Sequence, residues 1–233
     1  MKRYLTSVLV LLIMFSILWY MQNSIYISHP NDQHILLIMN GSLQGYNSLR
    51  VLAILSLVFL LFMNMLTVKE SASFFIRYKH RLRLFHNRVI NIFCSSIIFV
   101  TSFLIVNVVF SLVFIDHDVM LESHFYLITF LNGIAMVLFY FWIGLLTKVL
   151  EDWLYSKNIS VVIAFILVML IYFIDLPFWV PFDDMRIYEG MLSGLWTLAD
   201  ILFIYARQFG IVIILYVVGK IIFSDKDFIF YEK

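Results

Sequence analysis

Six apolar runs, each close to 20 residues long, constrain the fold of this chain more than any other feature of its sequence. A helix of about 20 residues crosses the roughly 30 Å hydrocarbon core of a bilayer, so runs of this length predict membrane-spanning helices. The composition agrees, because 63% of the 233 residues are hydrophobic and only 13% are charged. The predicted spans cover residues 5–22, 49–66, 90–114, 125–147, 159–180 and 203–223.

Backbone chemistry explains why these spans should be helices. In hydrocarbon every N–H and C=O group must find its partner inside the protein, and these continuous runs are too long for barrel strands. We therefore expect an all-α integral membrane protein with a single domain, residues 1–233. The first run follows Lys2 and Arg3 but has no small-residue cleavage site before Asn23, which favours a retained helix over a signal peptide.

The basic residues predict the orientation of the chain. With six spans, thirteen of the sixteen Lys and Arg residues fall on the side that holds both termini, and Arg50, Arg186 and Arg207 fall on the other. Lys and Arg are enriched in cytoplasmic segments, so both termini are expected in the cytoplasm.

The segment 72–89, between the second and third spans, would then be a basic cytoplasmic segment. Large apolar residues recur at steps of three and four and form one helical stripe: Phe74, Tyr78, Leu82, Phe85 and Val89. Arginines lie on another face: Arg77, Arg81 and Arg88. This pattern predicts an amphipathic helix, which either holds the loop inside by binding anionic headgroups or docks a cytoplasmic partner.

In its layout the chain resembles the small permeases of type-2 ABC exporters, which include bacterial peptide, bacteriocin-immunity and polysaccharide exporters. Two stretches carry the resemblance: IRYKHRLRLFHNRVINIF after the second span and PFDDMRIYEGMLSGLWTLAD after the fifth. Permeases of this class have six helices with both ends inside, and a cytoplasmic coupling helix between helices two and three. They also have short helices that dip back into the outer leaflet between helices five and six.

The resemblance implies a separate cytoplasmic ATPase subunit that docks on the coupling helix. The implied docking residues are Arg77, Tyr78, Lys79, His80, Arg81, Leu82, Arg83 and Phe85. The sequence has no Gly-x-x-x-x-Gly-Lys-Ser/Thr loop to cradle phosphates, so ATP and Mg²⁺ would be bound by that partner, with no cofactor and no enzymatic activity in this chain. The other implied partners are membrane lipids and a second permease subunit, identical or related, in a bacterial plasma membrane, with no nucleic acid.

Two charged residues in the apolar runs are candidates for contact with a substrate. Asp175 lies near the outer end of the fifth span, and Arg207 lies near the start of the sixth. Ionisable groups inside spans usually face protein or water and often mark function. Both residues are also close enough to the interface to snorkel, which favours structural anchoring or mutual pairing, with substrate contact as the alternative.

Two outer segments are predicted to be ordered. Residues 182–200 could form two half-penetrating helices separated near Gly190 to Gly194, or an interfacial loop anchored by Trp196. Residues 23–48 mix turn residues with one apolar pentad and predict an ordered outer loop.

An enzyme and a membrane anchor are the alternatives to a permease. A short outer loop contains side chains of the metal-binding type, although a solvent-facing polar loop has the same composition: Asp116, His117, Asp118, Glu122 and His124. The chain contains neither a His-Glu-x-x-His pair nor a Gly-x-Ser-x-Gly elbow. We therefore predict the permease subunit of an ATP-driven exporter for an amphipathic peptide or lipid-like substrate, with a non-transporting anchor or immunity protein as the alternative.

Overall fold

The computed structural model of the chain describes residues 2–27, 34–66, 81–174 and 179–225. Within these ranges the regular structure is entirely helical, which confirms the predicted all-α fold. The elements are α1 (Lys2–Asn23), α2 (Ile35–Asn40), α3 (Leu49–Leu66), α4 (Arg81–Phe114), α5 (His117–Glu122), α6 (Phe125–Leu154), α7 (Lys157–Phe173), a 3₁₀ turn (Asp183–Met185), α8 (Ile187–Leu192) and α9 (Leu198–Asp225).

Five of these helices are long enough and apolar enough to cross a membrane, namely α1, α3, α4, α6 and α9. They coincide with five of the six predicted spans. The remaining prediction, 159–180, overlaps α7, which has 17 residues and is about 25 Å long at 1.5 Å per residue. Residues 175–178 lie outside the described ranges, so a sixth span stays a prediction.

Consecutive long helices run in alternating directions between two ends of the bundle. Near the end of α1, Trp19 stacks on Phe114 at the end of α4. At the opposite end, Lys157 at the start of α7 donates a hydrogen bond to the carbonyl oxygen of Asn64, 3.4 Å away, near the end of α3. We call the first the loop end, because it holds three connecting segments: 34–48, 115–124 and 179–197. We call the second, where α1 begins and α9 finishes, the basic end.

Helix α6 is the centre of the bundle, because 72% of the residues in its apolar 18-residue stretch are buried. It contacts α3, α4, α7 and α9. Aromatic rings fill much of the core beside it. The ring of Phe99 lies 5.4 Å from that of Phe59 and 5.0 Å from that of Tyr140, all three being fully buried. Helices α1 and α9 lie at the periphery. Only 17% and 22% of the residues in their apolar 18-residue stretches are buried, as expected of helices that face lipid.

The predicted amphipathic helix at 72–89 lies mostly outside the described residues. Residues 81–89 form the first turns of α4, which continues without a break into the third predicted span and ends at Phe114. With 34 residues, α4 is about 51 Å long, roughly 20 Å more than the hydrocarbon core requires. The start of α4 therefore extends beyond the hydrocarbon core at the basic end, where it packs alongside the ends of α6 and α9.

Candidate functional site

The structure describes part of the predicted docking segment. Residues 77–80 lie outside the described ranges, and Arg81 begins α4. Leu82 and Arg83 are exposed, with 48% of the Leu82 surface accessible. Phe85 was predicted on the same stripe as Leu82 but is buried, with 6% of its surface accessible. Leu82 and Arg83 are therefore accessible to a partner, whereas Phe85 faces the protein itself.

Phe85 attaches the start of α4 to the end of α9. Its ring lies 5.3 Å from that of Tyr216 and 5.7 Å from that of Phe223, measured between centroids. Gly219 lies between these two α9 residues, and a Cβ atom added there would lie 3.4 Å from a ring carbon of Phe85 and 3.0 Å from Val149 of α6. The missing side chain thus allows α9 to approach both α4 and α6 closely.

Arg88, one turn further along α4, turns into the bundle and pairs with Asp152 of α6. One terminal nitrogen of Arg88 donates to both carboxylate oxygens of Asp152, at 2.9 Å and 2.8 Å. The Arg88 guanidinium carbon also lies 4.8 Å from the centroid of the Phe223 ring. Breaking a buried ion pair by removing one partner costs about 3–5 kcal/mol, so this contact joins α4, α6 and α9 firmly.

The sequence pattern places Arg88 on one helical face with Arg77 and Arg81 and does not reveal its partner. The available signal was the pair of acids Glu151 and Asp152 at the end of the fourth span, on a side dominated by basic residues. Glu151 accepts a hydrogen bond of 2.7 Å from Lys148, and both of these residues are buried as well.

The segment 34–48 packs into the loop end of the bundle instead of lying over it. Asn40 accepts hydrogen bonds through its Oδ1 from the side-chain amides of Asn47, at 2.7 Å, and Asn107, at 2.9 Å. Tyr46 stacks on Phe103 at 4.0 Å and donates its hydroxyl proton to the carbonyl oxygen of Phe103, 3.1 Å away. Burial raises the pKa of Tyr46 well above its usual value.

The segment 182–190 enters the same end of the bundle from the other side. The hydroxyl of Tyr188 lies 2.7 Å from that of Thr129 on α6, and the Asn107 amide donates to it at 3.4 Å. Ser42 donates to the carboxylate of Glu189, which links the two inserted segments. Of the two predicted half-penetrating helices, separated near Gly190 to Gly194, the first overlaps the 3₁₀ turn and α8, and the second overlaps the start of α9 at Leu198. Their depth in the membrane stays a prediction.

Asn107 is the centre of this buried polar region. Besides its bonds to Asn40 and Tyr188, its Oδ1 accepts a hydrogen bond of 3.0 Å from the indole N–H of Trp19. Three buried side-chain oxygens on this and adjoining elements have no partner among the described residues: Oδ1 of Asn47, Oδ1 of Asn132 and Oγ of Ser111. Asn107 was not among the predicted site residues, although an amide within a long apolar run is itself a signal.

Arg207 pairs with Asp184 of the 3₁₀ turn. Asp184 is fully buried and also accepts hydrogen bonds of 2.9 Å from the indole of Trp179 and the amide of Gln208. Burial raises the pKa of Asp184, against the lowering effects of those two hydrogen bonds and of the Arg207 charge. Asp175 lies outside the described residues, so the predicted pairing of Arg207 with Asp175 stays untested.

Three of the five predicted metal-binding side chains lie in α5, namely His117, Asp118 and Glu122, while Asp116 precedes α5 and His124 precedes α6. Asp116 caps this helix by accepting a hydrogen bond of 3.3 Å from the backbone N–H of Asp118. The described ranges contain no group of three or more His, Cys, Asp or Glu side chains that could hold a metal ion.

An all-helical bundle with five apolar helices of spanning length places this chain among the helical membrane proteins. Comparisons with protein-family models, with curated proteins and with solved structures found no match to this chain.

Proposed function

We propose that this chain is the membrane permease subunit of an ATP-driven exporter of the ABC type, and that a separate ATPase subunit docks at the basic end of the bundle. The observation that carries the proposal is the continuity of α4 from Arg81 to Phe114. A docking element must pass movement of the ATPase on to the spans, and one unbroken helix is a stiff connection for that purpose.

Contacts at the basic end support this role for α4. The Arg88–Asp152 ion pair and the stacking of Phe85 on Phe223 fix the first turns of α4 against α6 and α9. A displacement of these turns would therefore move three long helices together. Leu82 and Arg83 stay exposed on the same turns, so a partner can reach them without disturbing the interior.

The side chains of the basic segment indicate which kind of surface the ATPase would present to it. Arg77, Arg81 and Arg83 carry planar guanidinium groups that form paired hydrogen bonds with carboxylates, and Leu82 supplies an apolar contact. The complementary surface is a shallow apolar groove edged by Asp or Glu. ATP and Mg²⁺ would be bound entirely by that partner.

The path for the substrate would form between this chain and a second permease subunit, identical or related. The buried polar region around Asn107 lies within the loop end and contacts α1, whose apolar 18-residue stretch is only 17% buried. A boundary between polar and apolar surfaces suits an amphipathic peptide or a lipid-like molecule, which presents both kinds of surface itself.

Purification of the tagged full chain in mild detergent from its own host tests the proposal. We expect an ATPase subunit to co-purify and to hydrolyse ATP. Substitution of Arg77, Arg81 and Arg83 together by Lys conserves charge but removes the paired hydrogen bonds, so it should release that subunit, as should Leu82→Asp. Arg186→Lys, at the loop end, is the matched control. If the triple variant retains the ATPase and its activity, docking at this segment is refuted and the anchor function is favoured.

A further inference from the structure

The side chain of Arg207 is held at the surface of α9 by two aromatic rings and an ion pair, and part of it stays accessible. Its guanidinium carbon is 5.2 Å from the centroid of the Trp179 ring and 5.2 Å from that of the Phe203 ring. Both distances are within the range of cation–π attraction. One edge of the group donates to Asp184, while 32% of the Arg207 side chain stays accessible.

Within the described residues, most of the hydrogen-bonding capacity of this guanidinium is unused. An arginine side chain carries five N–H donors, and in the described part of the chain one terminal nitrogen has an acceptor, the carboxylate of Asp184. The Nε–H group is buried and has no partner among those same residues. Unmet donors on a charged group in apolar surroundings are costly, so an external acceptor would be stabilised at the accessible part of the guanidinium.

The surroundings of Arg207 are those of a surface that faces lipid. On the same face of α9 as Arg207, Phe203 and Ile214 are 64% and 63% exposed. One turn beyond Arg207, Gly210 borders open space, since no described atom outside its own stretch of helix lies within 4 Å of the position that a Cβ would occupy. An apolar surface with a shallow notch therefore continues from the guanidinium along α9.

The depth of Arg207 is suitable for contact with a lipid headgroup. Helix α9 has 28 residues and is about 42 Å long, so centring it in a core of roughly 30 Å places the Arg207 Cα about 8 Å below the hydrocarbon boundary. Side chains on a helix point towards its N-terminus, which for α9 is the loop end. An extended arginine side chain can cover this distance by snorkelling.

We propose that Arg207, held between Trp179 and Phe203, binds the phosphate group of an anionic membrane lipid at the loop end of the bundle. The terminal N–H donors that no described residue occupies would donate to phosphate oxygens, and the acyl chains would lie over the apolar face of α9 beside Gly210. This inference is independent of the transport function.

The neighbouring charges within the described residues are compatible with an anion at this position. Asp184 is buried and already accepts hydrogen bonds from three side chains. Asp183 and Arg186 form their own half-exposed pair, 3.6 Å apart, with no net charge. Asp200, one of the described acids on α9, accepts hydrogen bonds from the backbone and hydroxyl of Thr197, at 2.7 Å and 2.8 Å.

The test is thermal unfolding of the purified full chain in a neutral detergent with added phosphatidylglycerol, phosphatidylcholine or inorganic phosphate. Phosphatidylglycerol should raise the unfolding midpoint more than phosphatidylcholine at equal concentration, and inorganic phosphate should have little effect. Arg207→Lys keeps the charge but loses the planar donor pair, so it should weaken the apparent affinity for phosphatidylglycerol about tenfold. Arg186→Lys serves as the matched control and should bind as the wild-type chain does.

A second variant covers the case in which Arg207→Lys folds poorly. Arg207→Gln combined with Asp184→Asn removes both charges of the pair, and native mass spectrometry of this variant should show less retained phosphatidylglycerol than the wild-type chain. Equal retention by the wild-type chain and both variants would overturn the proposal. Equal effects of the two lipids would overturn recognition of an anionic lipid, and an equal effect of inorganic phosphate would indicate a site for a soluble anion.

Discussion

At the residue scale, two buried interactions between distant parts of the chain stand out. Arg88 and Asp152, 64 positions apart in sequence, form an ion pair at the basic end. Trp19 and Asn107, 88 positions apart, form a hydrogen bond at the loop end. Each joins two long helices through groups that hydrocarbon solvates poorly, so each specifies one relative rotation of its helices.

The Arg88–Asp152 pair should behave as a coupled unit. Arg88→Gln and Asp152→Asn should each lower the free energy of unfolding by about 3–5 kcal/mol, because each leaves a buried charge without its partner. The double variant should lose less than the sum of the two, as measured by thermal unfolding in detergent. Arg83→Gln, an exposed arginine on the same helix, should change stability by less than about 0.5 kcal/mol. Additive single effects would show that the pair is not coupled.

Asn107→Ala should destabilise the loop end. The substitution removes the acceptor for Trp19 and the donor for Asn40, and a buried group left without its partner costs about 1–3 kcal/mol. Thermal unfolding of the purified chain measures the loss. Asn87→Ala is the control, since Asn87 is an exposed asparagine on the same helix. A loss no larger than that of Asn87→Ala would mean that the polar region is not structurally important.

At the element scale, α4 and α9 connect the two ends of the molecule. Both are longer than the hydrocarbon core requires, and they meet at the basic end through Phe85, Tyr216 and Phe223. At the loop end, α9 contacts the inserted 3₁₀ turn through Arg207 and Gln208. Movement of α4 at the basic end therefore has a direct mechanical route along α9 to the inserted segments.

Gly219→Val should disturb this route. The added side chain would collide with Val149 and Phe85, and overpacking of this kind costs about 1–3 kcal/mol. Gly210→Ala is the matched control on the same helix, because the space beside Gly210 is open and the change should be neutral or stabilising. Unfolding midpoints in detergent compare the two variants. Equal midpoints for both variants would refute close packing at Gly219.

At the scale of the whole molecule, the orientation in the membrane follows from the basic residues. Arg83, Arg88, Lys148 and Lys157 lie at the basic end. The loop end holds the segments 34–48 and 179–197. The enrichment of Lys and Arg in cytoplasmic segments predicts that the basic end faces the cytoplasm.

Cysteine labelling in intact cells measures this orientation. In a Cys94→Ser background, Ser193→Cys and Asp118→Cys should react with a membrane-impermeant maleimide, whereas Asn158→Cys should react only after the cells are opened. All three positions are exposed, so accessibility within the fold does not bias the result. Reversed labelling would place the basic end outside the cell and remove α4 from reach of a cytoplasmic ATPase.

The sequence by itself determined the helical fold and the position of the five long apolar helices. That information is local, since a continuous apolar run must satisfy its own backbone in hydrocarbon and only a helix does so within one segment. The same reasoning predicted a basic segment near Arg83, whose docking role stays a prediction, and identified Arg207 as an unusual charge within an apolar run.

Only the tertiary structure decided which polar residues meet. Arg88 turns inward to Asp152, Arg207 meets Asp184, and Asn107 gathers partners from three other segments. These contacts depend on the rotation and spacing of helices, which are set by side-chain packing between residues far apart in sequence, such as Gly219 against Val149 and Phe85. A pattern along one helix contains no information about the helix that will face it, which is why the partners of these charges could not be predicted from the sequence.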